Sequence, residues 1–567
     1  MGKCNDIDAS FLVRNKLNVK PRPYQMNQPV YVGIDIGTTN TCAYTITQKE
    51  VLEQVADENG KTLIRSVVCF CENGEVIVGN RYASKTSEVV KGNVVFNAKR
   101  IIGLKFNDPR IKQAAKSCQA KVVEDANGFA SFWIPSQKRR VSPIEIYTRI
   151  INYVWSRIGL QFRNVVCVTI TCPAMFKNEE RTAIMRAIKD SDIRCPVRMI
   201  NEPCAAAIYY GVNYQDVNGV YAIYDLGGGT FDVSLISVED GSRLKVLHSG
   251  GNPVIGGQRF DDQVIQYLQK LYHEDEDDDL IDEKLQGVNP ESYHNVRFKL
   301  MEKCREAKEF LLSDDIVEIE LSDYMLMIRR LFPPENEDCL SDPDAYNLTI
   351  DQLNDLIKND VSTTIDILKK CIEEKGYSLS DVKRILMVGG SSRLRLVRQK
   401  LEDTFTKERI TYTVNPDTVV AQGAAQYSLH KELRDITIED STKWDFATLV
   451  RDRYEPLIKK DTVIPCKVEK DYIITRDHEG WFYDQIYEGD IQDPSSMKLL
   501  KYFESEVTLQ DDPLTVRYTF EVPEDGILYY SVVEVDTGRV LQERTMIRTD
   551  WACLFVIIYP SVYHLIE

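Results

Sequence analysis

The pattern of apolar and polar positions predicts two β-hairpins of the same kind. Residues 30–37 alternate with period two and run into Gly-Thr-Thr-Asn, and a return strand follows through residues 43–44. Residues 222–230 repeat this arrangement and return through residues 231–233. Both units carry Asp-aliphatic-Gly where the turn begins, at Asp35 and Asp225. Their spacing, 225 − 35 = 190 residues, is too long for a short solenoid repeat, so we predict two similar lobes.

Strand and helix patterns alternate between and after these hairpins. Residues 165–170 form a buried-strand pattern, and a helix is predicted from about residue 178 to residue 188. A second helical pattern surrounds Leu368 and ends near Gly376. The strand pattern of residues 385–388 then leads into a Gly-Gly-Ser-Ser turn. This alternation over most of the chain indicates an α/β region.

The pattern changes after residue 429. Short alternating segments, such as residues 516–520, are separated by turn signals at residues 524–526 and 536–538. These features are typical of an all-β domain. The predicted organisation is an extension (1–28), an α/β domain (29–430), a linker (431–445) and a β domain (446–567).

The composition excludes several classes of function. The 567 residues are 43% hydrophobic and 28% charged, with a net charge of −17. A nucleic-acid binder needs clustered Lys and Arg to neutralise phosphates, so none is expected here. The 14 cysteines include no Cys-x-x-Cys pair, and we expect reduced, buried thiols. The acidic run 274–279 is interpreted as a solvated surface.

The sequence predicts neither a signal peptide nor a membrane helix. The first thirty residues contain basic side chains but no sustained apolar core. The apolar stretch 552–566 is interrupted by Pro560 and is shorter than the ~20 residues that a membrane helix needs. We interpret that stretch as a buried last strand, and we expect a monomer in the cytoplasm, with the nucleus as a second compartment.

The two hairpins have the chemistry of a nucleotide site. Glycines at the turns let backbone N–H groups approach phosphate oxygens, and a carboxylate beside each turn can hold Mg²⁺ through its waters. A P-loop is excluded, because the position five residues before Gly60 in Gly60-Lys61-Thr62 is Val55 and not glycine. Two matching hairpins facing a third glycine-rich turn indicate one shared site.

Several strings together resemble the DnaK-type, seventy-kilodalton heat-shock chaperone family. They are 33–40, 97–103, 200–203, 225–232, 388–391, 415–417 and 422–425, in the family's order over about residues 30–430. The resemblance implies the actin-like ATPase fold, in which two lobes with ribonuclease-H-like cores close on Mg-ATP. A smaller all-β sandwich follows these lobes.

The resemblance also assigns roles to individual residues. Lys99 matches the lysine that positions the attacking water, and Glu202 and Asp232 match carboxylates around it, while Asp35 and Asp225 match those that hold Mg²⁺ through water. Pro173 and Arg181 match an interdomain relay. The remaining nucleotide contacts expected are Gly37, Thr38, Thr39, Asn40, Gly228, Gly229, Thr230, Gly389, Gly390, Ser391, Arg393 and Asp417.

One helix departs from the family pattern. The family places an acid at Arg305 and a base at Glu309, so these two charges are exchanged here, while Lys308 is kept. Residues 305 and 309 are i and i+4 and share one helix face, so they can still pair. We expect ATP binding to be retained but weakened, with Lys308 contributing more of it.

The β domain resembles the peptide-binding sandwich more weakly. The resemblance rests on residues 457–460, 464–465, 485–489 and 526–528, and it implies binding of unfolded polypeptides, J-domain cochaperones and nucleotide-exchange factors. We expect the helical lid to be absent and peptide binding, with Trp481 or Phe482 in the pocket, to be short-lived.

Two other classes of function stay open at this stage. A non-hydrolysing, nucleotide-switched adaptor or co-chaperone is consistent with the altered linker and missing lid. A small-molecule kinase on the same superfold would need a carboxylate base at a sugar site, and no string resembles one. Slow ATP hydrolysis coupled to protein folding is the favoured prediction.

Overall fold

The computed structural model describes most of the chain. The described residues are 27–85, 88, 92–116, 118–214, 218–239, 243–272, 290–323, 345–412, 415–433, 437–450, 453–474, 481–506 and 514–547. The acidic run 274–279 and the apolar stretch 552–566 lie outside these residues. So do residues 1–26 of the predicted N-terminal extension.

The first lobe is built on a six-stranded sheet of order β12-β11-β1-β2-β3, with β4 paired to β2. Two three-stranded sheets, β6-β5-β7 and β10-β9-β8, complete it. The strands are β1 Val30–Ile36, β2 Asn40–Thr47, β3 Leu52–Gln54, β4 Ile64–Arg65, β5 Val68–Phe70, β6 Val76–Val78, β7 Val94–Val95, β8 Val122–Glu124, β9 Ala130–Ile134, β10 Arg139–Val141, β11 Val165–Cys172 and β12 Val197–Asn201. The helices are α1 Pro109–Lys116, α2 Pro143–Gly159, α3 Asn178–Lys189 and α4 Glu202–Tyr214.

The second lobe repeats this strand order as β19-β18-β13-β14-β15, and the same sheet continues into two further strands, β20 Thr437–Ser441 and β23 Val463–Ile464. Its strands are β13 Gly219–Leu226, β14 Phe231–Glu239, β15 Arg243–Asn252, β16 Ile316–Glu320, β17 Ala345–Thr349, β18 Val382–Val388 and β19 Ile410–Thr411. Its helices are α5 Gly257–Tyr272, α6 Pro290–Phe310, α7 Ile350–Glu373, α8 Arg395–Phe405 and α9 Val419–Leu433. In each lobe the Asp-containing strand pairs antiparallel with its hairpin partner and parallel with its other neighbour, which explains the repeated sequence pattern.

The β domain consists of two four-stranded sheets, β22-β21-β25-β26 and β24-β27-β28-β29. Its strands are β21 Asp445–Val450, β22 Arg453–Ile458, β23 Val463–Ile464, β24 Cys466–Ile474, β25 Trp481–Asp490, β26 Asp493–Glu506, β27 Leu514–Val522, β28 Tyr529–Glu534 and β29 Val540–Met546. Alternate residues of β27, such as Val516, Tyr518 and Phe520, fill one shared core.

The predicted linker contains a strand, β20 Thr437–Ser441. It pairs in parallel with β15, through Arg243 and Thr437 at the start of the register. The sheet of the second lobe therefore continues into the segment that leads to the β domain. Alternation within residues 436–438 is the sequence signal for this strand, but only its pairing shows where it lies.

Two helices cross between the lobes. Helix α9 packs on β1, β2 and β11 of the first lobe and against α4, which itself packs on strands of the second lobe. The helices approach so closely that a Cβ atom on Gly423 would lie 1.7 Å from the carbonyl oxygen of Ala205. A Cβ on Gly33 of β1 would meet the α9 backbone, 2.2 Å from the nitrogen of Ala425. Glycine is required at both positions because the backbones themselves are in contact.

Candidate functional site

A large cavity lies between the two lobes, where β1, β13 and β18 end. Its volume is about 560 Å³, and its walls come from both lobes. Of the predicted site residues, it is lined by Asp35, Gly37, Thr38, Thr39, Asn40, Lys99, Glu202, Asp225, Gly228, Gly229, Thr230, Arg305, Lys308, Glu309, Gly389, Gly390, Ser391, Arg393 and Asp417. Asp232, Pro173 and Arg181 are not among the lining residues.

The two hairpin turns have matching geometry and touch across the cleft. The N–H of Gly37 donates to the carbonyl of Asn40 at 3.0 Å, and that of Gly227 donates to Thr230 at 3.1 Å. A Cβ atom on Gly228 would lie 2.3 Å from the hydroxyl oxygen of Thr39, so only glycine fits this contact. The turns present backbone N–H groups and threonine hydroxyls to one volume, which suits phosphate oxygens.

A buried ion pair occupies the same end of the cavity. Lys99 Nζ lies 2.6 Å from Glu202 Oε1, and both side chains are about nine-tenths buried. Burial alone would lower the pKa of Lys99, but Glu202, Tyr147 and Asp35 together outweigh burial and raise that pKa. Asp35 accepts a hydrogen bond from the Thr171 hydroxyl at 2.8 Å. Lys99 is therefore charged and held beside both hairpin turns.

The carboxylates around Lys99 fit a divalent cation. Burial raises the pKa of Asp225 well above its usual value, and nearby Glu202, Asp232 and Asp35 raise it further. Burial also raises the pKa of Asp232 to about 6. Four carboxyl groups around one ammonium disfavour one another's ionised forms, a bound cation would favour those forms, and oxygen donors are the ligands that Mg²⁺ prefers. Within the described residues no group of three or more His, Cys, Asp or Glu side chains could hold a metal ion. Binding of Mg²⁺ by Asp35 and Asp225 through water stays a prediction.

The third glycine-rich turn lies against the second hairpin and lines the same cavity. Gly389 has a φ of +78°, and a Cβ there would lie 2.4 Å from the carbonyl oxygen of Leu226. Arg393 and Asp417 form an ion pair of 2.7 Å beside this turn. Burial raises the pKa of Asp417, against the effect of Arg393. The family resemblance implies that Gly390, Ser391 and Arg393 contact the adenosine, and this role stays a prediction.

Helix α6 carries the exchanged charges on the cavity wall. Arg305 pairs with Glu309 at 2.9 Å, as the helix spacing predicts, and also with Glu302 at 3.0 Å. Lys308 lies 2.6 Å from Asp261 and donates to the carbonyl of Gly257 at 2.8 Å. Its ammonium is thus already bound within the protein. A direct role of Lys308 toward nucleotide stays a prediction.

One ion pair that joins the two lobes was not predicted from the sequence. Arg65 of the first lobe donates to Glu302 of α6 at 3.1 Å, so Glu302 joins Arg65 and Arg305 over the cavity wall. Glu302 could have been found on the helix, three residues before Arg305. Arg65 could not, because it lies 237 residues from its partner. Asp261 gave no sequence signal either.

Arg181 contacts three parts of the molecule. Its guanidinium donates to the side chain of Asn201 at 2.7 Å and, across the domain boundary, to the carbonyl of Asp525 at 3.2 Å. It also donates to the carbonyl of Pro173 at 3.5 Å. Asn201 directly precedes Glu202. Arg181 therefore joins the β domain to the residue next to the Lys99–Glu202 ion pair. This position is compatible with the predicted relay, although relay itself stays a prediction.

A buried carboxylate of the β domain lies at the first turn of α3. Glu488 is 2% exposed and accepts from the backbone N–H of Asn178 through both oxygens, at 3.1 and 3.0 Å. The Asn178 side chain accepts from the N–H of Leu528 at 2.8 Å. Burial raises the pKa of Glu488 to about 8, against the effect of nearby Lys177. The β domain is therefore docked on the first lobe through desolvated polar groups.

Two further sequence predictions concern the peptide pocket and a membrane helix. Trp481 and Phe482 begin β25, but their side chains lie outside the described part of the structure. Their place in a peptide pocket stays a prediction. Across the described ranges, no helix is both long and apolar enough to cross a membrane.

The fold and the site together define a two-lobed nucleotide-binding protein with a docked β sandwich. Residues 31–551 match the family model described as Hsp70 protein, and the chain belongs to this family. Family membership implies an actin-like, two-lobed ATPase followed by a β sandwich. It also favours an ATP-dependent chaperone over the adaptor and the kinase.

A curated relative agrees with this assignment. The chain is 29% identical over 525 residues to the chaperone protein DnaK of Buchnera aphidicola subsp. Schizaphis graminum. The aligned region covers 90% of this chain and 77% of that DnaK. The similarity thus extends through the β domain, whose resemblance in the sequence alone was the weaker one.

Proposed function

We propose that this protein is a chaperone that binds and slowly hydrolyses Mg-ATP to control its contact with extended polypeptides or partner chaperones. The observation that carries the proposal is the buried Lys99–Glu202 pair, 2.6 Å apart, at the meeting point of the two glycine hairpins. Arg181 connects the β domain to the residue beside that pair.

The residues of the site have separate roles in the proposed hydrolysis. When bound, Mg²⁺ would be held by Asp35 and Asp225 through water and would neutralise phosphate charge. Lys99 is a charged donor in a buried site, where it stabilises negative charge developing on the terminal phosphate more strongly than it would in water. Glu202, beside Lys99, is placed to orient the attacking water and accept its proton. The hairpin amides hold the phosphate chain in place.

Single-turnover hydrolysis tests this function directly. We expect one equivalent of ADP to form from a stoichiometric protein–ATP complex in the presence of Mg²⁺, and an extended peptide to accelerate it. Removal of Mg²⁺ by a chelator should stop the reaction. ATP binding without any ADP formation, with or without peptide, would contradict hydrolysis.

An adaptor that binds nucleotide without hydrolysing it is the second candidate. The specific observation in its favour is α6, where Arg305 is held by Glu302 and Glu309 on the cavity wall. In that case nucleotide would change domain docking without turnover. The hydrolysis experiment separates the two functions, because only the chaperone forms ADP.

The expected partners follow from the family. We propose that the β domain binds unfolded polypeptide segments and that J-domain cochaperones and nucleotide-exchange factors act on the two lobes. The cytoplasm is the expected compartment. Pull-down with a purified J-domain, with and without ATP, tests the first of these partners, and loss of ATP dependence would count against it.

A further inference from the structure

A second, smaller opening reaches the phosphate end of the main cavity. We call it the side opening, and its volume is about 60 Å³. It shares Thr38, Lys99 and Thr230 with the main cavity, so the two meet at the hairpin turns. Its outer part is lined by Gln113 of α1 and Pro253 before α5, both exposed. The side opening therefore runs between the lobes from the hairpin turns to the protein surface.

The side opening is rich in positive charge. Its lining includes Lys99, Arg100 and Arg110 but a single acid, Glu180. Arg100 also donates to the carbonyl of Gly229 at 3.1 Å, which places its guanidinium beside the second hairpin. Lys99 is paired with Glu202, and Arg110 is paired with Asp108 and Glu180, so an arriving anion would share these cations with carboxylates already bound to them. Arg and Lys in such surroundings attract phosphate oxygens.

The size and the position of this opening suit one product of hydrolysis. A volume of about 60 Å³ holds roughly four water molecules, close to the five non-hydrogen atoms of inorganic phosphate. After ATP and water give ADP and phosphate, ADP would still fill the main cavity, with its adenosine toward Arg393 and Arg305 of the cavity lining, as the family resemblance implies. Phosphate is left beside Lys99, where the side opening begins.

We propose that the side opening is the exit for inorganic phosphate and that Arg100 and Arg110 bind the anion in transit. This inference rests on the proposed hydrolysis of ATP.

Arg110 also gives the exit a connection to the β domain. It donates to Asp108 at 3.0 Å and to Glu180 at 3.1 Å. Asp108 in turn lies 2.5 Å from Lys498 of β26. Arg110, which would meet the leaving phosphate, is thus linked to the docked β domain through the Asp108–Lys498 ion pair. Phosphate passing Arg110 competes with Asp108 for the same guanidinium.

The proposed route is tested by narrowing the side opening while Lys99, Arg100 and Arg110 are left unchanged. Gln113→Trp places an indole at the mouth of the opening, on an exposed position of α1. In a single turnover of the full chain, acid quench reports hydrolysis and a fluorescent phosphate-binding protein reports phosphate release. We expect hydrolysis within about twofold of the parent and phosphate release slower by about tenfold or more.

Lys112→Trp is the matched control. Lys112 is exposed on the same helix and does not line the opening, so it should leave both rates unchanged. Phosphate release from Gln113→Trp at the parent rate, with hydrolysis intact, would overturn the proposed route.

A second measurement keeps the route testable even if the chain does not hydrolyse ATP. Inorganic phosphate is mixed with the ADP complex, and its rate of binding is followed by ³¹P magnetisation transfer. We expect Gln113→Trp to slow entry by about tenfold and Lys112→Trp to leave it unchanged. Equal entry rates, or no phosphate binding to the parent ADP complex, would rule the route out independently of turnover.

Discussion

At the residue scale, Lys99 is the side chain on which the proposed chemistry depends most. Lys99→Ala removes a buried ammonium 2.6 Å from Glu202. Loss of one preorganised charge of this kind costs about 10²–10³-fold in rate. ATP affinity should change by less than about tenfold, since the hairpin amides and the predicted adenosine contacts remain. Single-turnover hydrolysis and nucleotide titration measure the two effects, and equal losses in both would remove Lys99 from the catalytic role.

Glu309 is the residue that we expect to accept a hydrogen bond from the base of the nucleotide. Its carboxylate is half-exposed and paired with Arg305, so it can exchange that partner for a donor on the nucleotide. Glu309→Gln would then replace a charge-assisted hydrogen bond by a neutral one, which costs about 1–1.5 kcal/mol, or roughly 5- to 13-fold in ATP affinity. Glu318→Gln, at an exposed position of β16 away from the cavity, is the charge-matched control. Unchanged affinity in both variants would show that Glu309 does not contact the base.

Sequence and structure agree where the signal is local. The hairpins at Asp35 and Asp225 were predictable because strand alternation, glycine and aspartate all fall within a few residues. The Arg305–Glu309 pair followed from helix periodicity in the same way. The bridge from Arg65 to Glu302 depends on how the lobes close, and no local pattern encodes a contact over 237 residues. The same limit hid the pairing of Asp261 with Lys308.

At the scale of elements, the contact between β25 and α3 links docking of the β domain to pH. Burial raises the pKa of Glu488 to about 8 when the domains are docked, whereas an exposed glutamate titrates near 4.3. Between these two values the docked state holds one proton more than the undocked state. Docking is therefore strongest at low pH, weakens as the pH rises from about 4.3 to about 8, and no longer changes above that range. Lys177 opposes this effect, and Glu179 and Glu180 add to it.

Distance measurements between spin labels on the two domains, at pH 6.5 and 8.5, test this dependence. We expect a smaller docked fraction at pH 8.5 in the parent. Glu488→Gln keeps an acceptor for the N–H of Asn178 but carries no charge, so its docked fraction should be the same at both pH values. An equal pH effect in parent and variant would assign it to another group.

The docked arrangement itself was only partly predictable. Proline and arginine at 173 and 181 indicated a relay through the family resemblance, and Arg181 does reach the β domain through Asp525. The sequence predicted a linker at 431–445, where the structure has β20 paired with β15. Strand propensity over five residues does not reveal a partner nearly two hundred residues earlier, because parallel pairing depends on the whole sheet.

At the scale of the whole molecule, α9 is the element that completes the first lobe. It covers β1 and β2 with Ala421, Ala425 and Leu429, all fully buried. A fragment of residues 27–418 lacks this helix and leaves that face of the sheet open to water, so we expect it not to fold cooperatively. A fragment of residues 27–443 keeps α9 and should unfold in a cooperative transition. Calorimetry of both fragments tests this, and a cooperative transition in the shorter one would contradict it.

The position of α9 has a consequence for how the protein is made. Strands and helices of the first lobe are complete at residue 214, but the helix that covers their sheet ends at residue 433. Translation at about 5–20 residues per second leaves roughly 10–45 s between these points. During that time the nascent chain carries an uncovered apolar sheet face on the ribosome. The protein is thus itself exposed to aggregation while it is being synthesised, until α9 emerges and covers the sheet.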